Sequence, residues 1–214
     1  MWIDRVQDRV QWGWNVAARA VGATTDAYRA SGSGTPIDAT NRFLRLNAAF
    51  IPFDGKVTRP NAYGAALWQG IFDAAYTRVG DYLVQDAGTW FVAAQESLLP
   101  VLCVRVNRTI SISRPATPTS AGINAYSGVT SMTNTPLLAD WPANVLGVGA
   151  SGVPSAELPS DSSTPYWTVL LPTYSDIVLL PNDLIQDDLG RNAVIAAAEL
   201  TDLGWRIAAK QATT

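Results

Sequence analysis

The sequence predicts a mainly β protein: a small barrel or sandwich of short antiparallel strands, with an N-terminal α-helix and a long extended arm. Three observations carry that expectation. Short apolar runs alternate with Gly and Pro turn signals over residues 42–113 and return over 166–209. One strand–turn–strand pattern occurs twice: Asp81–Ala94 lines up without a gap on Asp183–Ala196, with five identities in fourteen positions, Asp-x-Gly turns included. Only the first twenty or so residues show a helical period instead.

Ile3, Val6, Val10, Trp14, Ala17 and Val21 recur at three- and four-residue spacing, with Asp4, Arg5, Asp8, Arg9 and Arg19 off that stripe. Acidic residues in the first turns and Gly22 after the last suit the two ends of a helix. Residues 1–22 are therefore read as a helical arm, free to pack on its own barrel or to dock on a partner. Residues 23–41, around Ser31-Gly-Ser-Gly-Thr-Pro36, read as a connector. Residues 42–113 form the first part of the β domain, with runs at Phe43–Leu46, Ala48–Phe53, Leu67–Phe72, Tyr82–Val84, Thr89–Ala94, Val101–Val106 and Thr109–Ser113. Residues 114–165 are rich in Ser, Thr, Pro and Gly. Their apolar islands, Pro136–Trp141 and Asn144–Leu146, suggest an extended arm lying on a neighbour's surface. Residues 166–214 return to sheet as the second part of the domain, with Tyr166–Leu171, Ile177–Leu180 and the second hairpin.

Composition narrows the chemistry. The 214 residues include no His and a single Cys, Cys103, in an apolar run. That excludes Ser-His-Asp and Cys-His machinery, His-containing zinc sites and an intrachain disulfide. Asp86, Asp187 and Asp188 are the carboxylates a histidine-free glycosidase would need. Their place beside Gly88 and Gly190 is accounted for by turn formation. Gly147-Val-Gly-Ala-Ser-Gly152 matches a dinucleotide-loop spacing, but Pro154 precludes the helix that should follow. No catalytic residue, metal site or cofactor is expected.

Charged residues make up 15% of the chain and apolar ones 48%, a balance that suits surfaces covered by another chain. Arg outnumbers Lys thirteen to two; its planar fork suits interfaces. Residues 42–114 carry a net +3 and residues 115–214 a net −6. Arg105, Arg108 and Arg114 form a basic group able to meet phosphate or a neighbour's carboxylates. The candidate interface residues are Trp2, Ile3, Val6, Val10 and Trp14 on the helix, Arg105 and Arg108 in the basic group, and Trp141 on the arm. The start of the chain lacks the pattern of a secretory signal, and no stretch is long and apolar enough to cross a membrane as a helix.

The run Val79-Gly-Asp-Tyr-Leu-Val-Gln-Asp-Ala-Gly-Thr-Trp-Phe-Val-Ala-Ala resembles the hairpin of tailed-bacteriophage neck proteins, the head-closure (stopper), head-to-tail joining and collar proteins. Pro181–Gly190 looks like a second version, with Asn182 where that family often has Gly. The stretch Gly80–Pro115 is similar to structural proteins of proteobacterial phages. The resemblance covers about a third of the chain and leaves the helix and the arm unaccounted for. It implies a small β-barrel that assembles with itself into a six- or twelvefold ring between portal or adaptor and tail proteins. Such a ring leaves a channel for double-stranded DNA, touches no membrane, and belongs to a virion assembled in host cytoplasm. Two other readings stand beside it: a tail or baseplate component, and a β-sandwich that binds carbohydrate through exposed Trp.

Overall fold

The computed structural model describes residues 2–52, 66–115, 134–148, 166–174 and 177–212. Among the described residues one α-helix, α1 (Trp2–Val21), precedes twelve strands: β1 (Ala23–Tyr28), β2 (Arg42–Pro52), β3 (Leu67–Ile71), β4 (Tyr82–Gln85), β5 (Gly88–Ala94), β6 (Val101–Arg105), β7 (Arg108–Arg114), β8 (Thr135–Val148), β9 (Tyr166–Leu171), β10 (Leu184–Asp187), β11 (Asn192–Thr201) and β12 (Gly204–Gln211). The protein is mainly β, as the alternating runs predict.

The strands close into two antiparallel barrels, not one. Barrel 1 has the circular order β1-β2-β3-β6-β5-β4, and barrel 2 the order β7-β8-β9-β12-β11-β10. Advancing each strand of barrel 1 by six reproduces barrel 2, so the two halves share one wiring. Irregularities match as well. The register shifts between Ala27 and Tyr28 in β1 and between Ile112 and Ser113 in β7. It shifts again between Val92 and Ala94 in β5 and between Ile195 and Ala197 in β11. Bulges at matching places bend matching strands, as barrel closure requires.

This repeat corrects the reading of the parts. β1 is a barrel strand inside the supposed connector, and β7 belongs to the second barrel, not to the first part of one domain. Residues 135–148 of the supposed arm are β8, the longest strand of barrel 2; residues 116–133 and 149–165 lie outside the described residues. Ile177–Leu180 is not a strand. It leads instead into the turn before β10.

The gapless alignment of the two hairpins also slips. In barrel 1, Gln85 pairs with Gly88 across a two-residue turn. In barrel 2, Gln186 pairs with Asn192, and the Asp187 N–H donates to Arg191 O at 3.0 Å, leaving a three-residue loop with Gly190 at φ +74°. That loop, with glycine in the left-handed region, is the usual three-residue solution. One extra residue moves the structural match of Val92 from Val194 to Ile195. The Val92 and Ile195 amides make the same bond, to Asp81 O and Asp183 O, each at 2.9 Å.

Alternation fills each interior. Ala27, Leu83, Trp90, Val92, Phe72, Val101 and Cys103 occupy barrel 1. Barrel 2 holds Ile110, Ile112, Ile185, Ala193, Ile195, Val169, Leu171, Ile207 and Ala209. The chain passes between the barrels over two residues, Val106 and Asn107. Asn107 ties that link down: its side-chain amide donates to Val145 O (2.8 Å) and accepts from Val145 N (2.7 Å).

α1 lies on barrel 1, against β2 and β3. Ala18 is buried, and Gly22 donates to Ala18 O at 2.8 Å to end the helix. A Cβ on Gly22 would stand 2.7 Å from Ala48 O, so only glycine lets the chain turn so close to β2.

Candidate assembly interface

The doubled pattern has a doubled structural purpose. Asp81, 1% exposed, takes both prongs of Arg29 (Nε at 2.8 Å, Nη2 at 2.7 Å) and the Arg78 N–H at 2.9 Å. Asp183, equally buried, takes both prongs of Arg114 (2.7 and 2.8 Å) and the Leu180 N–H at 2.8 Å. Each Arg then donates onward to one more carbonyl, Tyr76 O or Val178 O. A bidentate, backbone-anchored carboxylate is among the strongest hydrogen-bonded units available. It locks the turn before β4 or β10 to the end of β1 or β7. Gly80 (φ +94°) and Asn182 (φ +73°) fill the one left-handed position beside each clasp, which is why Asn stands in for Gly there. Hydrogen bonding to Asp183 raises the already high pKa of Arg114. Arg114 is thus consumed by the fold and is not part of a free basic group.

Each clasp holds out an exposed apolar residue at the same place: Tyr76 is 70% exposed and Val178 66%. At the other end of each barrel an Arg lies over a Trp of β3 or β9. Arg105 sits 5.2 Å from the Trp68 ring, and Arg191 sits 4.8 Å from the Trp167 ring.

The seam between the barrels is a surface that the sequence alone does not reveal. Tyr82, Phe91 and Val104 form a row across β4, β5 and β6 on the outer face of barrel 1. All three are at most 3% exposed. Tyr82 donates to Pro142 O of β8 at 2.8 Å and meets the Trp141 ring edge-on at 6.3 Å. Burial pushes the Tyr82 phenol above its ordinary pKa, so it stays a neutral donor. Phe91 and Val104 line a cleft of about 410 Å³ with Leu170, Leu203 and Trp205 of barrel 2. Asn144 reaches back to donate to Arg105 O at 2.7 Å. A signal for this seam exists in the sequence: Tyr82-Leu83 and Trp90–Ala93 are unbroken apolar runs, the mark of strands covered on both faces.

The candidate interface residues scatter against this frame. Val10 and Trp14 are half-buried and Val6 is exposed; the side chains of Trp2 and Ile3 lie outside the described residues. The helix is seated by Trp14, Ala18 and Gln7, whose Oε1 accepts from Leu98 N at 2.9 Å. Its outward face carries Trp12, 69% exposed, and Val16. Arg105 is exposed at the mouth of barrel 1, and Arg108 stands 3.9 Å from Asp188. Trp141 is not on an arm: it is 1% exposed, inside the seam, with its Nε1 donating to Ser33 O at 3.1 Å. Trp90 is also interior, stacked on Phe50 at 4.0 Å, so neither Trp offers a platform for a sugar.

The turn carboxylate Asp187 is absorbed in the same way. Burial pushes the Asp187 carboxyl up, but bonds from the Arg191 side chain and from the Arg191 and Leu189 amides outweigh it and hold the group below its ordinary range. The Cys103 thiol is fully buried, and burial pushes its pKa far up. It is an inert part of the core. No group of three or more Asp, Glu, Cys or His stands close enough to hold a metal among the described residues. Comparison of the chain with family models, with curated proteins and with solved structures finds no match, so its two barrels and their seam speak for themselves.

Proposed function

We propose that this chain is a structural subunit of a tailed-phage virion, forming a ring in the neck that joins the portal or adaptor to the tail and leaves a channel for DNA. One observation carries the reading: the hairpin that resembles those of neck proteins, Gly80–Ala94, is the element through which one barrel grips another. Tyr82 and Phe91, on its outer face, are buried in the barrel–barrel seam. A hairpin that already makes a barrel contact is suited to a protein whose work is to be joined.

The surface supports the same reading. Trp12, Tyr76 and Val178 are each about two-thirds exposed, apolar side chains that another chain could cover. Charge is unevenly placed. Residues 107–214, which hold barrel 2, carry a net −4, while residues 23–106, which hold barrel 1, are neutral. An acidic barrel facing the channel keeps DNA from adhering as it passes.

Mass photometry and negative-stain imaging of the purified protein, alone and mixed with portal rings, test the proposal. Closed rings of six or twelve copies, or decoration of one end of the portal, are the expected results. A protein that stays monomeric and binds no portal ring overturns it.

A further inference from the structure

The two barrels meet head to tail. Barrel 1 uses its β4–β5–β6 outer face; barrel 2 uses β8, β9 and the β11–β12 hairpin. By the shared wiring, the latter correspond to β2, β3 and the β5–β6 connection of barrel 1. Because the two faces differ, the contact is heterologous, and each chain has one further face of either kind.

What covers those two remaining faces is informative. The β2–β3 face of barrel 1 carries α1. The helix lies on β2 and β3, Gln7 bonds to Leu98 in the β5–β6 connection, and Trp14 faces Phe72 and Leu99. On barrel 1, then, α1 occupies the place that barrel 1 itself occupies on barrel 2. It does so less completely. Gln7, Gln11 and Trp14 line a cavity of about 200 Å³ with Phe72 and Val101, and the buried Trp14 Nε1 has no hydrogen-bond partner among the described residues.

On the other face, on β10–β11–β12, no further helix or strand is packed among the described residues beyond the barrel's own neighbours. Leu184, Val194 and Lys210 take the places of Tyr82, Phe91 and Val104, as the paired registers fix. They are half-buried where their counterparts are at most 3% exposed, and Ala196 and Ala208 beside them are exposed. The row is mainly apolar and has the geometry that already makes a barrel contact once in each chain.

We propose that this face binds a second copy of the chain, which docks through its β2–β3 face once α1 lifts away. Chains then join head to tail by a second version of the contact that joins the barrels, and α1 is the latch that holds a lone chain closed. The proposal rests on the reading of the chain as an assembly subunit, and supplies that reading with its two contact faces and a control.

The test uses the full chain. Trp14→Ala loosens the latch, and Gln7→Ala loosens it more gently by removing only the bond to Leu98. Sedimentation velocity should show self-association of Trp14→Ala at a concentration about tenfold below wild type, as expected when the competent state becomes more populated. Adding Val194→Asp should return it to a monomer. A photo-crosslinking residue at position 194 should capture β2 or β3 of another copy. Intact folding of each variant is read from protection of Cys103 against thiol reagents; if Trp14→Ala exposes Cys103, Gln7→Ala is the deciding variant. Self-association with position 194 crosslinked elsewhere, or unaffected by Val194→Asp, overturns this contact and leaves the ring reading standing. A folded, latch-loosened chain that stays monomeric overturns the contact, and if that chain also fails to bind portal rings the ring reading falls with it.

Discussion

Barrel 1 and barrel 2 share wiring, bulges and clasps, yet they are filled by different means. Barrel 1 is packed with rings: Phe50 stacks on Trp90 at 4.0 Å, Trp68 meets Trp90 edge-on at 5.9 Å, and Phe72 lies beside Phe50 at 6.4 Å. Around them stand small residues, Ala27, Ala48, Gly70 and Cys103. At the matching places barrel 2 has Ala193 for Trp90, Leu171 for Phe72, Val169 for Gly70 and Ile112 for Ala27, middle-sized aliphatic side chains beside the buried ring of Trp167, the counterpart of Trp68. The lesson is that the wiring does not dictate the core. Within barrel 1 the large rings stand beside small residues, the combination that close packing demands.

That contrast can be broken most severely at its centre. Trp90→Ala should cost about 3–5 kcal/mol, because a ring-sized cavity opens among aromatic neighbours that cannot collapse into it. Gly70→Val, which writes the barrel 2 residue into barrel 1, should also destabilise strongly. A Cβ there already comes within 2.6 Å of the Phe72 ring and 3.0 Å of the Cys103 sulfur. Urea melts of both variants check this; a neutral Gly70→Val would mean that the two fillings are interchangeable.

The clasps come next. Asp81→Ala and Asp183→Ala should each cost about 3 kcal/mol, at the low end for a buried ion pair because each Arg keeps access to water. Whether the barrels fail separately is read from Cys103, which reports on barrel 1 alone. If the seam couples them, Asp183→Ala accelerates thiol labelling of Cys103 as much as Asp81→Ala does. If they are independent, only Asp81→Ala does so. Tyr82→Phe tests the seam more gently. It strands Pro142 O and should cost about 1–2 kcal/mol. It should also loosen the coupling between Asp183→Ala and Cys103.

The smallest effect separates the barrel mouths by pH. Asp187 is held below its ordinary range in the fold, so its contribution is fully present above the unfolded carboxyl value of about 4 and is lost as pH falls through the lower folded value. Its counterpart in barrel 1, Gln85, does not titrate. Thermal melts from pH 5 down to 2 should therefore show a shallower acid limb in Asp187→Asn than in wild type.

How much of this was legible in advance follows from how local each signal is. β4, β5, β6, β7 and β9 were readable because each is a compact apolar run between Gly, Pro or Asp turns. β1 was not: Ala23-Thr-Thr-Asp-Ala-Tyr28 has weak alternation, and its strand state rests on pairing with β2 and β4. β8 was hidden by Pro136, Pro142 and a residue, Asp140, at φ +54°, features that a free strand avoids and this one accommodates at its bulges. Of the candidate interface, the helix stripe was legible from its period. The role of Trp141 was not, because burial between two barrels is decided by residues more than a hundred positions apart, such as Ser33.

The amino-acid sequence alone determined the β class, the terminal helix, the Asp-led hairpins that occur twice and the poverty of reactive groups, since patterning, turn chemistry and composition act over a few residues. Only the tertiary structure decided that there are two barrels, that the second hairpin is one residue longer, that Arg29 and Arg114 answer Asp81 and Asp183, and that Tyr82 faces a neighbouring barrel. Those outcomes depend on closure. A strand's partners and the cover on its outer face come from distant segments, and no local pattern encodes which of several equally apolar rows will be sealed and which will stay open.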